Sequence, residues 1–133
     1  TTMKAAGLKT EVIVGDWSIA RGFEVGVKVS KMKKRPTAIF CANDHLALGM
    51  IKAFSENSID VPGDISIIGF DNIPEAAYFS PALTTIHQDF DQLGKLAIER
   101  MLIQLKEPAK HEALTIAPTL IVRESTQQLK VGK

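Results

Sequence analysis

The chain has 133 residues, 45% of them apolar and 23% charged, with sixteen Lys and Arg against fifteen Asp and Glu for a formal net charge of +1. That apolar share excludes a disordered tail and suffices for one core, since a chain of this length buries roughly two-thirds of its unfolded surface. A balance so near neutrality creates no long-range field toward phosphate backbones or anionic membranes, so these residues by themselves are a poor nucleic-acid binder.

No stretch reaches the roughly 18 apolar residues that cross a bilayer, and the start lacks the apolar segment of a signal peptide. The single cysteine, Cys41, forms no internal disulfide and supplies no thiolate cluster, which fits a reducing, cytoplasmic setting. The opening "TTMKAAGLKTE" reads as the last turn of a helix closed by Gly7, so the chain reads as part of a longer one.

Beyond Gly7, short β-branched runs alternate with segments of helical period, the signature of an α/β fold. "EVIVG", residues 11–15, predicts a first strand. Ser18 predicts the cap of a helix reaching about Met32, with Ala20, Phe23 and Val27 on its apolar face. The basic end of that helix, "KMKKR", complements the negative end of the helix dipole in solvent. Pro36 stops the helix, and "TAIFCA" (residues 37–42) predicts a second strand, apolar throughout as one covered on both faces would be. Asn43 or Asp44 then caps a helix whose face is Leu46, Ala47, Met50, Ile51 and Phe54.

The turn "VPGD" leads into a third strand, "ISIIGF" (residues 65–70). Helix-containing connections of about two dozen residues are what parallel strands need, so this part reads β-α-β-α-β. An irregular stretch over 71–81 and a brief extended "LTTI" follow. Asp89 predicts the cap of a last helix reaching about Leu105, and residues 116–122 predict a final strand. Internal repeats and low-complexity segments are lacking.

In an open parallel sheet, ligands bind beyond the carboxyl ends of the strands. The three predicted strands are followed by Asp16-Trp17-Ser18, by Asn43-Asp44-His45 and by Asp71-Asn72. Each alone is turn and capping chemistry. Together they bring small polar groups and the only tryptophan to one edge, where an indole stacks on a sugar ring or nucleobase and amides and carboxylates engage hydroxyls or ring nitrogens. Catalysis has little support: Asp44-His45, or His87 with Asp89, could form an acid/base pair, but no serine or cysteine sits in a nucleophile-elbow context. There is no phosphate-cradling glycine motif, and three scattered histidines give no metal-ligand spacing, so no catalytic residue, metal or cofactor is expected.

The run from "RPTAIFCANDHLALG" through "GFDNIPEAAYFSPALTTIHQDF", extended by "GDWSIARGFE" upstream and "APTLIVREST" downstream, resembles the effector-binding core of the LacI/GalR (lactose-repressor) family of bacterial transcription regulators. The resemblance spans nearly the whole chain. It implies a three-layer α/β/α lobe of the periplasmic-binding-protein type I kind with a mostly parallel sheet. Residues 1–89 would form the C-terminal lobe, 90–112 a helix and loop returning to the N-terminal lobe, and 113–133 the final strand and tail. The DNA-binding head, the hinge and most of the N-terminal lobe would lie outside this sequence.

Carried over by position, the resemblance implies effector contacts at Trp17, Asn43 and Asp71, the same three strand ends, with Gln88 and Phe90 bordering the cleft. An arginine with which the family grips its effector, upstream of "GDWS", has no counterpart. Leu48, Tyr78 and Phe79 match the family's dimer surface, with core packing as their alternative role. The function implied is sensing of a small effector, a sugar or a purine-like molecule, that controls DNA binding by a homodimer. A periplasmic sugar-binding protein of a transporter is the alternative. The last helix carries Leu93, Leu96, Ala97, Ile98, Met101, Leu102 and Leu105 too far around its circumference to be left in water, so it is expected to fold back on its own sheet or pair with another copy.

Overall fold

The computed structural model describes residues 2–106, 113 and 115–128. Its elements in chain order are α1 (Thr2–Ala5), α2 (Ile19–Ser30), β1 (Ala38–Phe40), α3 (Asp44–Glu56), β2 (Ser66–Asp71), a 3-10 turn (Pro74–Tyr78), β3 (Thr84–His87), α4 (Phe90–Lys106) and β4 (Thr119–Ile121). The sheet runs β1-β2-β3-β4, parallel from β1 to β3, with β4 antiparallel to β3. This is the expected α/β fold with a mostly parallel sheet. The loop over 107–112 and the tail beyond 128 lie outside the described residues.

Sequence chemistry accounts for the helix ends. α1 closes as expected: Gly7 takes φ +68° and the Leu8 N–H reaches back to the Met3 carbonyl at 3.0 Å. Ser18 caps α2 by accepting from the Arg21 N–H, and Asn43 caps α3 by accepting from the Leu46 N–H. Asp89 accepts from the Gln92 N–H at 2.8 Å at the start of α4. The core lies between α3 and the sheet, with Ala47, Met50, Ile51 and Phe54 of α3 against Ile65, Ile67 and Leu83.

Three expectations are corrected. Residues 11–15 form no strand: the Val14 carbonyl accepts from Arg21 Nε and Nη2 at 3.3 and 3.0 Å instead of a neighbouring strand, leaving Val12 and Val14 exposed and only Ile13 packed on the core. β1 is consequently an edge strand among the described residues, and Phe40 is 62% exposed on the face turned away from α3. The packed face of α2 is Gly22, Val25, Gly26 and Val29, not that of Ala20, Phe23 and Val27. Small volume decides this. A Cβ on Gly22 would strike the Leu46 carbonyl, and one on Gly49 would strike the Ile19 carbonyl, so the two helices cross backbone to backbone.

α4 does not fold back on its own sheet. None of its residues is buried, and Leu93, Ile98, Met101, Leu102 and Leu105 are exposed. Leu96 and Ile103 are half-buried, and Leu93, Leu96, Ala97 and Arg100 line a shallow hollow with Ile116.

Candidate functional site

The strand ends are joined by a chain of hydrogen bonds that starts at Asn43. Its Oδ1 caps α3 at 2.9 Å from the Leu46 N–H, and its Nδ2 donates to the Trp17 carbonyl at 3.0 Å. Asn43 is buried, with one lone pair and one N–H left over. Trp17 has left-handed backbone, φ 70°, and its side chain is 65% exposed at the edge. Next to it, the Asp16 carboxylate accepts from the Ser18 hydroxyl at 2.7 Å and from the Ser18 N–H at 3.0 Å. These two bonds, the hydroxyl first, hold the Asp16 carboxyl below the usual carboxylate range.

Asp44 reaches from α3 to strand β3 and to the loop that follows Asp71. It is fully buried in the first turn of the helix, where the dipole favours a carboxylate, and accepts from Thr85 Oγ1 at 2.6 Å and from the Ile73 N–H at 2.9 Å. Its oxygens therefore face Thr85 and Ile73, while His45 is exposed, so the two do not form an acid/base pair. His87 and Asp89 do not pair either: Asp89 caps α4, and His87 Nδ1 lies 3.4 Å from Asn72 Nδ2. The buried thiol of Cys41, one strand end away, is pushed up to about 12 by burial and then by the negative charge of Asp44.

Asp71 and Asn72 sit at φ 107° and 54°. Left-handed backbone in residues with a Cβ costs of order 1–3 kcal/mol each and persists only where its surroundings hold it. Here the Asn72 N–H donates to Thr85 Oγ1 at 3.3 Å, Ile73 is held by Asp44, and Asn72 Oδ1 accepts from Arg123 Nη2 at 2.8 Å. The turn presents the Asp71 carboxylate to Gln88, whose Nε2 donates to it at 3.0 Å. Phe90, 56% exposed, opens α4 two residues on.

Trp17 and Asn43 thus touch directly, as do Asp71 and Gln88, and Asp44 with Thr85 joins the two pairs. Phe90 makes no bond into this chain through its side chain. Of the residues matched to a dimer surface, Tyr78 is 88% exposed, Phe79 packs partly on the core and Leu48 is half-buried. Sequence reasoning missed Arg123. It lies in the matched "IVREST" block, but only the fold brings that block back beside Asn72. Among the described residues no group of three or more His, Cys, Asp or Glu is placed to hold a metal ion, and no helix is long and apolar enough to cross a membrane.

An open α/β sheet with polar groups at the carboxyl ends of its parallel strands, and an exposed indole in a loop tied beside them by Asn43, has the layout of a ligand-binding lobe. The chain belongs to the periplasmic binding protein-like domain family, whose pattern matches residues 1–126, and within it to the effector-binding cores of LacI/GalR-type regulators. It is 43% identical over 122 residues to the HTH-type transcriptional repressor PurR of Vibrio parahaemolyticus, covering 86% of this chain and 36% of that protein. Among solved structures it is similar to a lac repressor dimer bound to operator and the anti-inducer ONPF, at TM-score 0.84 and 32% identity over 95% of this chain and 44% of that one. It is likewise similar to a LacI family transcriptional regulator from Enterococcus faecalis with bound ribose, at TM-score 0.85 and 35% identity over 97% and 48%. The chain thus spans about a third of the length of the curated relative it matches.

Proposed function

We propose that this chain is the ligand-sensing part of a cytoplasmic bacterial transcription repressor of the LacI/GalR type. A small effector, a sugar or a purine-like molecule, binds at the strand ends and shifts the equilibrium between lobe arrangements. That shift biases how a homodimer presents DNA-binding heads encoded outside this sequence. Residues 1–89 and the returning strand belong to the lobe described here, and 90–112 lead toward the other lobe. One observation carries the reading: Asp71, Gln88, Asn43 and Trp17 are brought to one sheet edge by hydrogen bonds among adjoining loops, α3 and β3, with left-handed backbone at Trp17, Asp71 and Asn72.

Asp71 accepts hydroxyl protons, the Gln88 amide keeps a free N–H and carbonyl lone pairs, and the Trp17 face stacks on C–H or base surfaces. The neighbour with bound ribose favours a sugar. The repressor relatives favour a regulator over a transporter component, and they give no reason to assign catalysis. Exposed Tyr78, with Leu48 and Phe79, is the proposed dimer contact.

Calorimetric titration of the full-length protein against monosaccharides and nucleobases tests this. One class binds, and Asp71→Asn weakens it at least about tenfold, the effect of losing a charged hydrogen-bond acceptor. Undiminished affinity in that variant removes Asp71 from the site.

A further inference from the structure

Resting on the reading of the strand ends as an effector site, we propose that Arg123 and His87 act through Asn72 as positioning residues for the Asp71 carboxylate, with the His87 ring accepting at Nδ1 and carrying its hydrogen on Nε2. The orientation of each group follows from the one before it. A guanidinium only donates, so the Asn72 atom 2.8 Å from Arg123 Nη2 is the carbonyl oxygen. That turns the amide nitrogen toward His87 Nδ1 at 3.4 Å. An amide N–H also only donates, so Nδ1 offers its lone pair and the ring proton sits on Nε2.

Arg123 is itself fixed. Its Nη1 donates to the Leu83 carbonyl at 2.7 Å and its backbone N–H to Thr84 Oγ1 at 2.9 Å. The returning segment therefore clamps the Asp71-Asn72 turn from one side, while Thr85 and Asp44 hold it from the core side. The left-handed conformation of both turn residues requires such a clamp. A hydrogen on His87 Nδ1 would set two donors against each other, and the amide cannot flip without turning its own N–H onto the guanidinium. The charged and titratable groups around the ring are Asp71, its register partner on β2, Arg123 beyond Asn72, Asp44 behind Thr85 and Asp89 two residues on; its partner on β4, Thr119, is neutral.

The test uses the full-length, ¹⁵N-labelled protein without ligand. Long-range proton–nitrogen correlation of the His87 ring is expected to show the Nε2–H tautomer. Arg123→Met frees the Asn72 amide. The tautomer preference is then lost, the Gln88 side-chain resonances that report on Asp71 shift, and the Asn72 and Ile73 amides exchange about tenfold faster while Ile67 does not. Arg123→Lys, which keeps a donor, preserves the ring signature. Asn72→Asp offers only acceptors, so His87 takes a proton on Nδ1.

An Nδ1–H ring in the wild type, or Gln88 and His87 signals unmoved in Arg123→Met, overturns the proposal. Should Arg123→Met fail to fold, an unchanged ring in Asn72→Asp overturns it alone. The effector reading is judged separately by the Asp71→Asn titration: a responsive ring in a protein that binds neither sugar nor nucleobase refutes that reading and leaves the positioning role standing.

Discussion

Gly49→Ala and Gly94→Ala make the same chemical change in two helix interiors and are expected to move stability in opposite directions. Alanine stabilises a helix interior by about 1 kcal/mol over glycine in both cases. At Gly94 on α4 a Cβ meets nothing within 4 Å, so that gain is the whole effect. At Gly49 it strikes the Ile19 carbonyl and lies 2.6 Å from the Phe23 nitrogen and 3.0 Å from the Gly22 carbonyl carbon. These are backbone atoms of α2 that no rotamer change can move aside, so α2 and α3 must separate. Overpacking costs about 1–3 kcal/mol, and backbone obstacles place this case at the upper end. Subtracting the helical gain leaves a net loss of about 2 kcal/mol. Urea unfolding followed by far-ultraviolet circular dichroism reads it as a lower midpoint at unchanged slope. A Gly49→Ala protein as stable as the wild type would show that the helices do not cross at backbone contact, and a destabilised Gly94→Ala would show that α4 is not open to solvent there.

Thr85→Val removes a donor to the fully buried Asp44 and the acceptor for the Asn72 N–H, and is expected to lower stability by about 2–3 kcal/mol in the same urea assay; a loss under ~0.5 kcal/mol would mean Asp44 is satisfied another way. Asp16 has a folded pKa below its unfolded one, so its contribution is present above the unfolded value and disappears as pH falls through the folded value; Asp16→Ala should flatten the acid limb of a stability–pH curve and leave neutral-to-alkaline slopes alone. Cys41, buried and raised to about 12, should resist iodoacetamide at about pH 8 in the native protein and react once urea unfolds it, and modification of the folded protein at the rate of a free thiol would contradict its placement.

Much of this was legible because local chemistry and tertiary structure agree. The caps at Ser18, Asn43 and Asp89, the apolar face of α3 and the β2 run satisfy their own backbone or bury their own face, and short-range pattern suffices to see them. The strand ends at Asn43 and Asp71 were legible for the same reason: each follows a β-branched run. Residues 11–15 were not, because a strand is defined by its partner, and here a guanidinium from the next helix takes the carbonyl a partner would need. The face of α2 was misjudged because periodicity weighs hydrophobicity, whereas the contact is set by what is small. Arg123 was beyond reach for a third reason: its bond to Asn72 spans 51 positions and depends on β4 returning beside β3.

The dipeptide Asn43-Asp44 shows why capping and binding readings of such residues need not compete. Asn43 satisfies the first turn of α3 and, with the other end of the same amide, holds the loop bearing Trp17. Asp44 adds its charge to the favourable end of the same helix and holds the loop that follows Asp71, with one oxygen directly through the Ile73 N–H and with the other through Thr85, which accepts from the Asn72 N–H. A rigid helix docked on the core thereby sets the separation of two loops that have no regular structure of their own. Substitution at either position consequently alters stability and site geometry together, whereas Asp71 and Gln88, at the outer end of the chain of bonds, can be changed with the frame intact. A mutational map of the site that ignores this order would credit Asn43 and Asp44 with ligand contacts they need not make.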